Sequence, residues 1–307
     1  MITISELITK YRKEPNSKLV ERLIFTGVEG LDVYNITAPF VLDNTRLIAG
    51  RVEARDSEQS HICFFEELPQ HKTWNKVEIT QPLKLQDPFY TWIDDKLILG
   101  GVEVFFDERD PRKAQWRTCL YEFENLQSHK RIFEGPLGMK DLRLKQLKDG
   151  RILVLTRPQG EKGGRGKIGC TIVNHLNELT IETIEQAPLL KNQFIDTEWG
   201  GANEIHLLNE GRIGVLGHIA QFDKQQNRHY YAMTFELDLE SLEMKSPKII
   251  AERSDFLDGP AKREDLIDVV FSGGLILIDD QADLYAGISD ADAQRLRISN
   301  PFSEESR

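Results

Sequence analysis

One unit recurs along this chain: a run of alternating apolar and polar residues, a tight turn of Asn, Asp or Gly, and a second apolar run. It reads "APFVLDNTRLIAGRV" around Asn44, "DPFYTWIDDKLILGGVEV" around Asp94-Asp95 and "KDLRLKQLKDGRILVLTRP" around Asp149-Gly150. It returns in "ANEIHLLNEGRIGVLGHIA" around Asn209-Glu210-Gly211 and in "VVFSGGLILIDDQADLYAGIS" around Asp279-Asp280. Period-two alternation broken by such turns specifies antiparallel hairpins. A third β-rich run follows each pair: "SHICFFEEL", "WRTCLYEFE", "KIGCTIVNH", "YYAMTFELDL" and "QRLRIS". Outer fourth strands are expected in "NKVEIT", "HKRIFEG", "LTIETIEQA" and "SPKIIAE".

The turns return every ~50 to 70 residues, a spacing that fits propeller blades of about four strands. Five units fill the 307 residues. The expected fold is therefore all-β, a five-bladed β-propeller forming one domain over residues 1–307. A β-sandwich is the competitor, because alternation alone does not separate the two. The run "KLVERLIFTGVEGLDVYN" is expected to complete the last blade and close the ring. The one helix expected is short, Glu6 to Tyr11, with Ser5 as its N-cap.

Composition bounds the function. With 40% hydrophobic and 29% charged residues the chain is of the globular class, neither disordered nor membrane-embedded. No apolar run approaches a membrane span, and the N-terminus lacks a signal-peptide core. Cys63, Cys119 and Cys170 lie far apart and suit buried thiols in a reducing compartment, so the expected location is cytoplasmic. A net charge of −11 argues against nucleic acid as a partner, since phosphate backbones require a basic face. It leaves room for a small anion held by a few inward cations.

Polar residues flank the expected inner strands at equivalent places in successive units: Asn35; Arg51, Glu53, Arg55 and Asp56; Asp87; Lys140, Asp141 and Arg143; Arg157; Glu198, Trp199, Asn203 and Glu204; His218; Tyr285 and Asp290. Each alone has a structural explanation. An Asp before Pro usually starts a turn, a His in an apolar strand is usually hydrogen-bonded core, and Arg51 with Glu53 is by default an ion pair. The repetition favours a shared site. Two stretches are set aside. "GEKGGRGKIG" fails the phosphate-loop spacing, with Glu161 at the first Gly position and Ile168 at the Ser/Thr position, and reads as a flexible hairpin loop. "DERDPRKAQW" reads as a solvated charged turn.

The ordered series "VYN", "RLIAGRVEARDSEQSH", "QDPF", "KDLRL", "ILVLTRP", "RIGVLGHIA", "YYAMTFELDL", "DVVFSGGLI" and "DLYAGISD" resembles the motifs of glycoside hydrolase family 130. It is more similar still to domain of unknown function family 1861, including the mannosyltransferase/phosphorylase group classed as glycosyltransferase family 108. The resemblance runs from about Phe25 to Ile298. It implies a five-bladed propeller enzyme that phosphorolyses β-mannosides, β-1,2-linked manno-oligosaccharides among them, to α-mannose 1-phosphate, or runs the reverse synthesis. By the same resemblance Asp87 is the proton donor. The resemblance likewise implies that Asn35, Arg51, Glu53 and Asp290 surround the sugar and that Lys140, Arg157, His218 and Tyr230 take the phosphate side; Asp141, Asn203, Glu204 and Tyr285 are expected beside the sugar from their places next to the inner strands. Phe89 stands where many relatives carry Arg, and "LGHIA" replaces "YHG". GDP-mannose is the alternative donor. No cofactor or metal is implied, and assembly into a homo-oligomer stays open.

Flanking Phe89, Tyr90 and Trp92 are expected to enclose Asp87 and keep its carboxyl protonated. Lys140, Arg157 and His218 are expected to hold phosphate through charge-assisted hydrogen bonds. Two alternatives remain at this stage: a hydrolase using Glu198 or Glu204 as base for water, and a non-catalytic carbohydrate-binding propeller.

Overall fold

The computed structural model describes residues 3–14, 18–68, 70, 72–79, 81–107 and 110–303. Helix α1 (Ile4–Tyr11) comes first, and strand β1 (Leu19–Arg22) follows. Blade one contains β2 (Phe25–Thr26), β3 (Asp32–Tyr34), β4 (Phe40–Leu42), β5 (Thr45–Glu53), β6 (His61–Leu68) and β7 (Thr73–Val77). Its innermost strand is split: β3 pairs with the end of β5 and β4 with its beginning. Blade two runs β8 (Gln86–Ile93), β9 (Lys96–Asp107), β10 (Asp110–Asn125) and β11 (Ser128–Glu134), antiparallel from centre to rim. Blade three has β12 (Arg143–Gln146), β13 (Ile152–Thr156) and β14 (Gly169–Val173), with α2 (Gly160–Gly163) between the last two and α3 (Ile181–Gln186) after them. Blade four is β15 (Glu198–Leu207), β16 (Ile213–Phe222), β17 (Arg228–Asp238) and β18 (Glu243–Ala251). Blade five is β19 (Val270–Ile278), β20 (Gln281–Ile288) and β21 (Asp292–Ser299).

Blade five takes its outermost strand from the other end of the chain. β1 pairs antiparallel with β21, Leu19 opposite Arg297 and Arg22 opposite Gln294, and so closes the ring as expected. The apolar residues form five clusters that follow one another around the ring, each filling the gap between neighbouring blades. Phe64 meets Leu97 and Phe123 between blades one and two, and Ile98 and Leu120 meet Leu144 and Val154 between two and three. Leu153 and Cys170 meet Val215 and Met233 between three and four; Leu216 and Ala232 meet Val270 and Leu284 between four and five. Ile36 and Phe65 meet Tyr285 and Ala293 where the ring closes. Inner strands are covered on both faces, so all five residues of β13 are buried, and "ILVLT" is a continuous apolar run instead of an alternating one.

Two local expectations need correction. The helix is capped by Thr3, not Ser5: Thr3 Oγ1 accepts from the Glu6 amide, and the Glu6 carboxylate accepts from the Thr3 amide at 2.8 Å. "LTIETIEQA" is not a fourth strand. Thr180 caps α3 through its hydroxyl, which accepts from Thr183 N at 3.1 Å, and the helix buries only Ile184, leaving Ile181 half-exposed. In "DERDPRKAQW", where a charged turn is expected, residues 108 and 109 lie outside those described, and the rest belongs to β9 and β10.

Candidate active site

Three inner strands are irregular where they enter the axial face. The pairing of β8 with β9 breaks between Gln86 and Phe89, that of β15 with β16 between Ala202 and Glu204, and that of β19 with β20 between Ser272 and Gly274. Asn35 occupies the gap between β3 and β4, and Asp141 lies just before β12. Such bulges turn a side chain out of the sheet and re-aim it. Asn35, Asp87 and Asp141 adopt left-handed φ of 44°, 50° and 61°, and Asp290, after β20, has φ 51°. Asn and Asp tolerate this region better than other non-glycine residues. The polar residues that tracked the repeat are thus those able to occupy its bulges.

They converge on a cleft of about 240 Å³ lined by Asn35, Arg51, Asp87, Lys140, Asp141, Arg157, His218, Tyr230 and Asp290. Asp87 is buried to 7% exposure; Asn35 Nδ2 donates to its Oδ1 at 2.8 Å and Arg51 Nη1 lies 3.3 Å from the same oxygen. The expected aromatic enclosure is absent. Phe89 packs beneath the Arg143 guanidinium at 4.1 Å, Tyr90 turns toward Phe40, and Trp92 is exposed, because the bulge separates Asp87 from the alternation that follows it. Asp290 is the carboxyl pushed upward, to about 6, by burial and by the charge of Asp87 against the opposing pull of Arg51.

Arg157 and Lys140 bring cations to the same cleft. Arg157, 2% exposed, donates from Nε to the Gly200 carbonyl at 2.7 Å. Its Nη1 is ion-paired with Asp141 Oδ2 at 3.3 Å but outside hydrogen-bonding geometry, so this buried donor makes no hydrogen bond. Burial alone would raise Asp141, yet Arg157 and Arg143 hold it down near 2. His218 contacts Asn203 Oδ1 through Nδ1 at 2.8 Å and stacks on Tyr230, whose hydroxyl accepts from Trp199 Nε1 at 3.0 Å. Burial pushes His218 down to about 3, so its imidazole is neutral at pH 7 and offers an ordinary hydrogen bond in place of the expected charge-assisted one.

Four residues expected around the sugar do not line the cleft. Glu53 is sealed beneath it, ion-paired with Arg51 and Lys262 and hydrogen-bonded by Tyr34; burial would raise its carboxyl, but these cations hold it below the usual range. Asn203 stands behind His218, Tyr285 belongs to the interblade core, and Glu204 accepts from Leu275 N at 2.7 Å. Glu198, the other candidate base for a hydrolase, accepts from Ile4 N at 2.7 Å and holds the start of α1. Neither Glu198 nor Glu204 reaches the cleft.

The sequence reading missed Glu58, Gln86, Arg228, Lys262 and Arg263, which complete the lining. Lys262 and Arg263 come from the irregular connection between β18 and β19, where no repeat position marks any residue, and Arg228 opens β17. The glycine-rich loop after β13 also has a place. A Cβ on Gly166 would lie 2.6 Å from the Arg157 guanidinium, and the Arg165 carbonyl accepts from Arg157 Nη2 at 3.4 Å. Among the described residues no group of three or more His, Cys, Asp or Glu side chains is arranged to hold a metal ion, and no helix is long and apolar enough to cross a membrane.

A closed five-bladed ring whose axial cleft brings recessed carboxylates together with buried cations defines a propeller enzyme of the glycosyl-transferring class. The chain belongs to the family described as Protein of unknown function (DUF1861), whose model matches residues 10–304. Among solved structures it is similar to a mannose phosphorylase from Leishmania mexicana in complex with a phosphate ion, at 32% identity and TM-score 0.88, covering 97% of this chain and 93% of that one. It is also similar to a GDP-Man-dependent mannosyltransferase from Leishmania mexicana, at 28% identity and TM-score 0.88, covering 99% and 96%. A β-1,2-mannobiose phosphorylase from Listeria innocua shares the fold at 14% identity and TM-score 0.64, covering 88% and 91%. No curated protein matches the chain.

Proposed function

We propose that this enzyme transfers a mannosyl group between a β-mannoside and inorganic phosphate, inverting the anomeric centre and giving α-mannose 1-phosphate, with β-1,2-linked manno-oligosaccharides as the substrates. The observation that carries the reading is the buried Arg157 guanidinium, ion-paired with Asp141 but with one donor making no hydrogen bond, on a residue that lines the same cleft as Asp87. A phosphate oxygen held there attacks C1 of the mannosyl residue. The bond from C1 to the leaving sugar oxygen breaks, and Asp87 delivers the proton that oxygen needs, directly or through a substrate hydroxyl. Asn35 and Arg51 position Asp87, while Lys140, His218 and Tyr230 complete the phosphate side.

Phosphate is itself the nucleophile, so a base carboxylate for water is not required. An inverting hydrolase places that base roughly 6.5–9.5 Å from the acid. Glu198 and Glu204, the two candidates for it, are engaged elsewhere in the fold. The kinship with a GDP-Man-dependent transferase supports a second donor for the same cleft, with the sugar nucleotide entering in place of mannose 1-phosphate. A donor and acceptor screen tests the proposal. The expected result is mannose 1-phosphate from β-mannosides only when phosphate is present, and β-mannoside from mannose 1-phosphate in reverse. Free mannose released at the same rate with and without phosphate would overturn it.

A further inference from the structure

A second and larger depression, of about 980 Å³, adjoins the cleft on the same face of the ring, and Glu58 and Gln86 line both. It runs outward between blades one and two. One wall is the start of β6 and the segment after β7, with Ile79 and Pro82; the other is the end of β9, with Val104 and Phe106. Strands β9 and β10 are 12 and 16 residues long against 9 and 8 for β5 and β6, so the blade-two hairpin provides the far wall. Phe106 is 63% exposed and Val104 39%, an apolar ledge that the interblade cores do not use.

We propose that this groove holds the non-reacting sugars of the mannoside chain and selects for acceptor length, with Phe106 as its stacking platform; the inference rests on the mannosyl-transfer reading. Three features favour a neutral oligosaccharide. The groove adjoins the cleft through Gln86, which immediately precedes Asp87 in sequence, so it opens on the acid's side of the reacting sugar. Its size matches a multi-unit ligand, whereas the cleft is smaller than the range of about 300–1,000 Å³ common for small-molecule sites. Its charges are mixed, with Lys76 and Lys84 set against Asp56, Glu58 and Glu78, unlike the Arg157 and Lys140 cations that suit phosphate. A sugar ring offers an apolar C–H face to an aromatic ring and hydroxyls to such polar neighbours.

The test is transfer from mannose 1-phosphate to β-mannoside acceptors of one to four sugars, with calorimetric titration of the same sugars. In the wild type kcat/KM and affinity are expected to rise about tenfold with acceptor length. In Phe106→Ala that rise is lost, while the single-sugar acceptor stays within about twofold of wild type; Phe106→Trp restores the length preference. Phe106 is largely exposed, so neither substitution threatens folding. No length dependence in the wild type, an equal effect of Phe106→Ala on all acceptors, or a selective rise in KM for GDP-mannose would overturn the inference. Titration needs no turnover: wild type that transfers nothing yet binds longer sugars through Phe106 overturns the activity and keeps the groove.

Discussion

Asp87 and Asp290 line the same small cleft beside Arg51, and their environments differ. Replacing Asp87 by Asn leaves the bond from Asn35 and the strand pairing of β8 possible, but removes the transferable proton. Turnover should fall on the order of 10²–10⁴, the usual contribution of a positioned acid, with thermal stability little changed. Steady-state phosphorolysis with a melting curve checks this; wild-type turnover would remove the assignment. Asp290 has a folded-state value of about 6 against an ordinary 3.8. Its protonated form therefore contributes stability that is complete below about pH 4 and lost as pH rises through 6. Asp290→Asn keeps the neutral form at all pH values, so its melting temperature should exceed wild type by a few degrees at pH 8 and converge with it near pH 4. The ceiling is roughly 3 kcal/mol, the equivalent of about two pKa units. His218 acts with the opposite sign: its neutral form contributes stability present above about 6.5 and lost as pH falls toward 3. Melts of Asp290→Asn and wild type across that range separate the two.

The strand pair β15–β16 positions the phosphate side, and the reason is visible at Gly201. A Cβ there would lie 2.8 Å from Arg157 Cδ and 2.9 Å from His218 Cε1. Gly201→Ala must displace both side chains, so KM for phosphate should rise about tenfold or more with a smaller effect on KM for the mannoside, and Arg157→Ala should follow the same pattern more strongly. Equal changes in both KM values would disprove the link. The pair "GG" in "EWGGANEIH" was legible as a strand but not as a site, because the side chains it accommodates come from Arg157, just after β13, and from its own partner strand. Hairpins were legible because Asp43-Asn44 and Asp94-Asp95 take the paired left-handed φ that tight turns require. "LTIETIEQA" misled because Leu179, Ile181 and Thr183 alternate as a strand would, while the Thr180 cap commits the backbone to α3. Lys262 and Arg263 stayed hidden because they lie in an irregular connection, and only folding brings Lys262 onto Glu53, 209 residues away.

At the scale of the whole ring, the site exists only if five wedges are held in a closed circle, and closure joins the two ends of the chain. Strand β1 supplies the outer edge of blade five. Helix α1 buries Ile4, Leu7 and Tyr11 against the cluster between blades three and four and is held there by the Glu198 bond to Ile4 N. Arg12 and Lys18 add ion pairs to Glu252 and Asp255 at the end of blade four. Full burial of three large apolar side chains contributes roughly 1.5–3 kcal/mol each, and surface-facing ion pairs add little. At about 2–4 °C per kcal/mol for a domain approaching this size, a chain beginning after Arg22 should melt on the order of 10 °C lower. The same truncation leaves β21 as an unpaired edge, open to pairing with another molecule. Differential scanning calorimetry with size-exclusion chromatography is the check. The expected outcome is a destabilised protein that aggregates or self-associates and loses phosphate-dependent turnover as the blades part. A truncated chain that stays monomeric with unchanged melting and turnover would show that the ring holds its cleft without the closing strand.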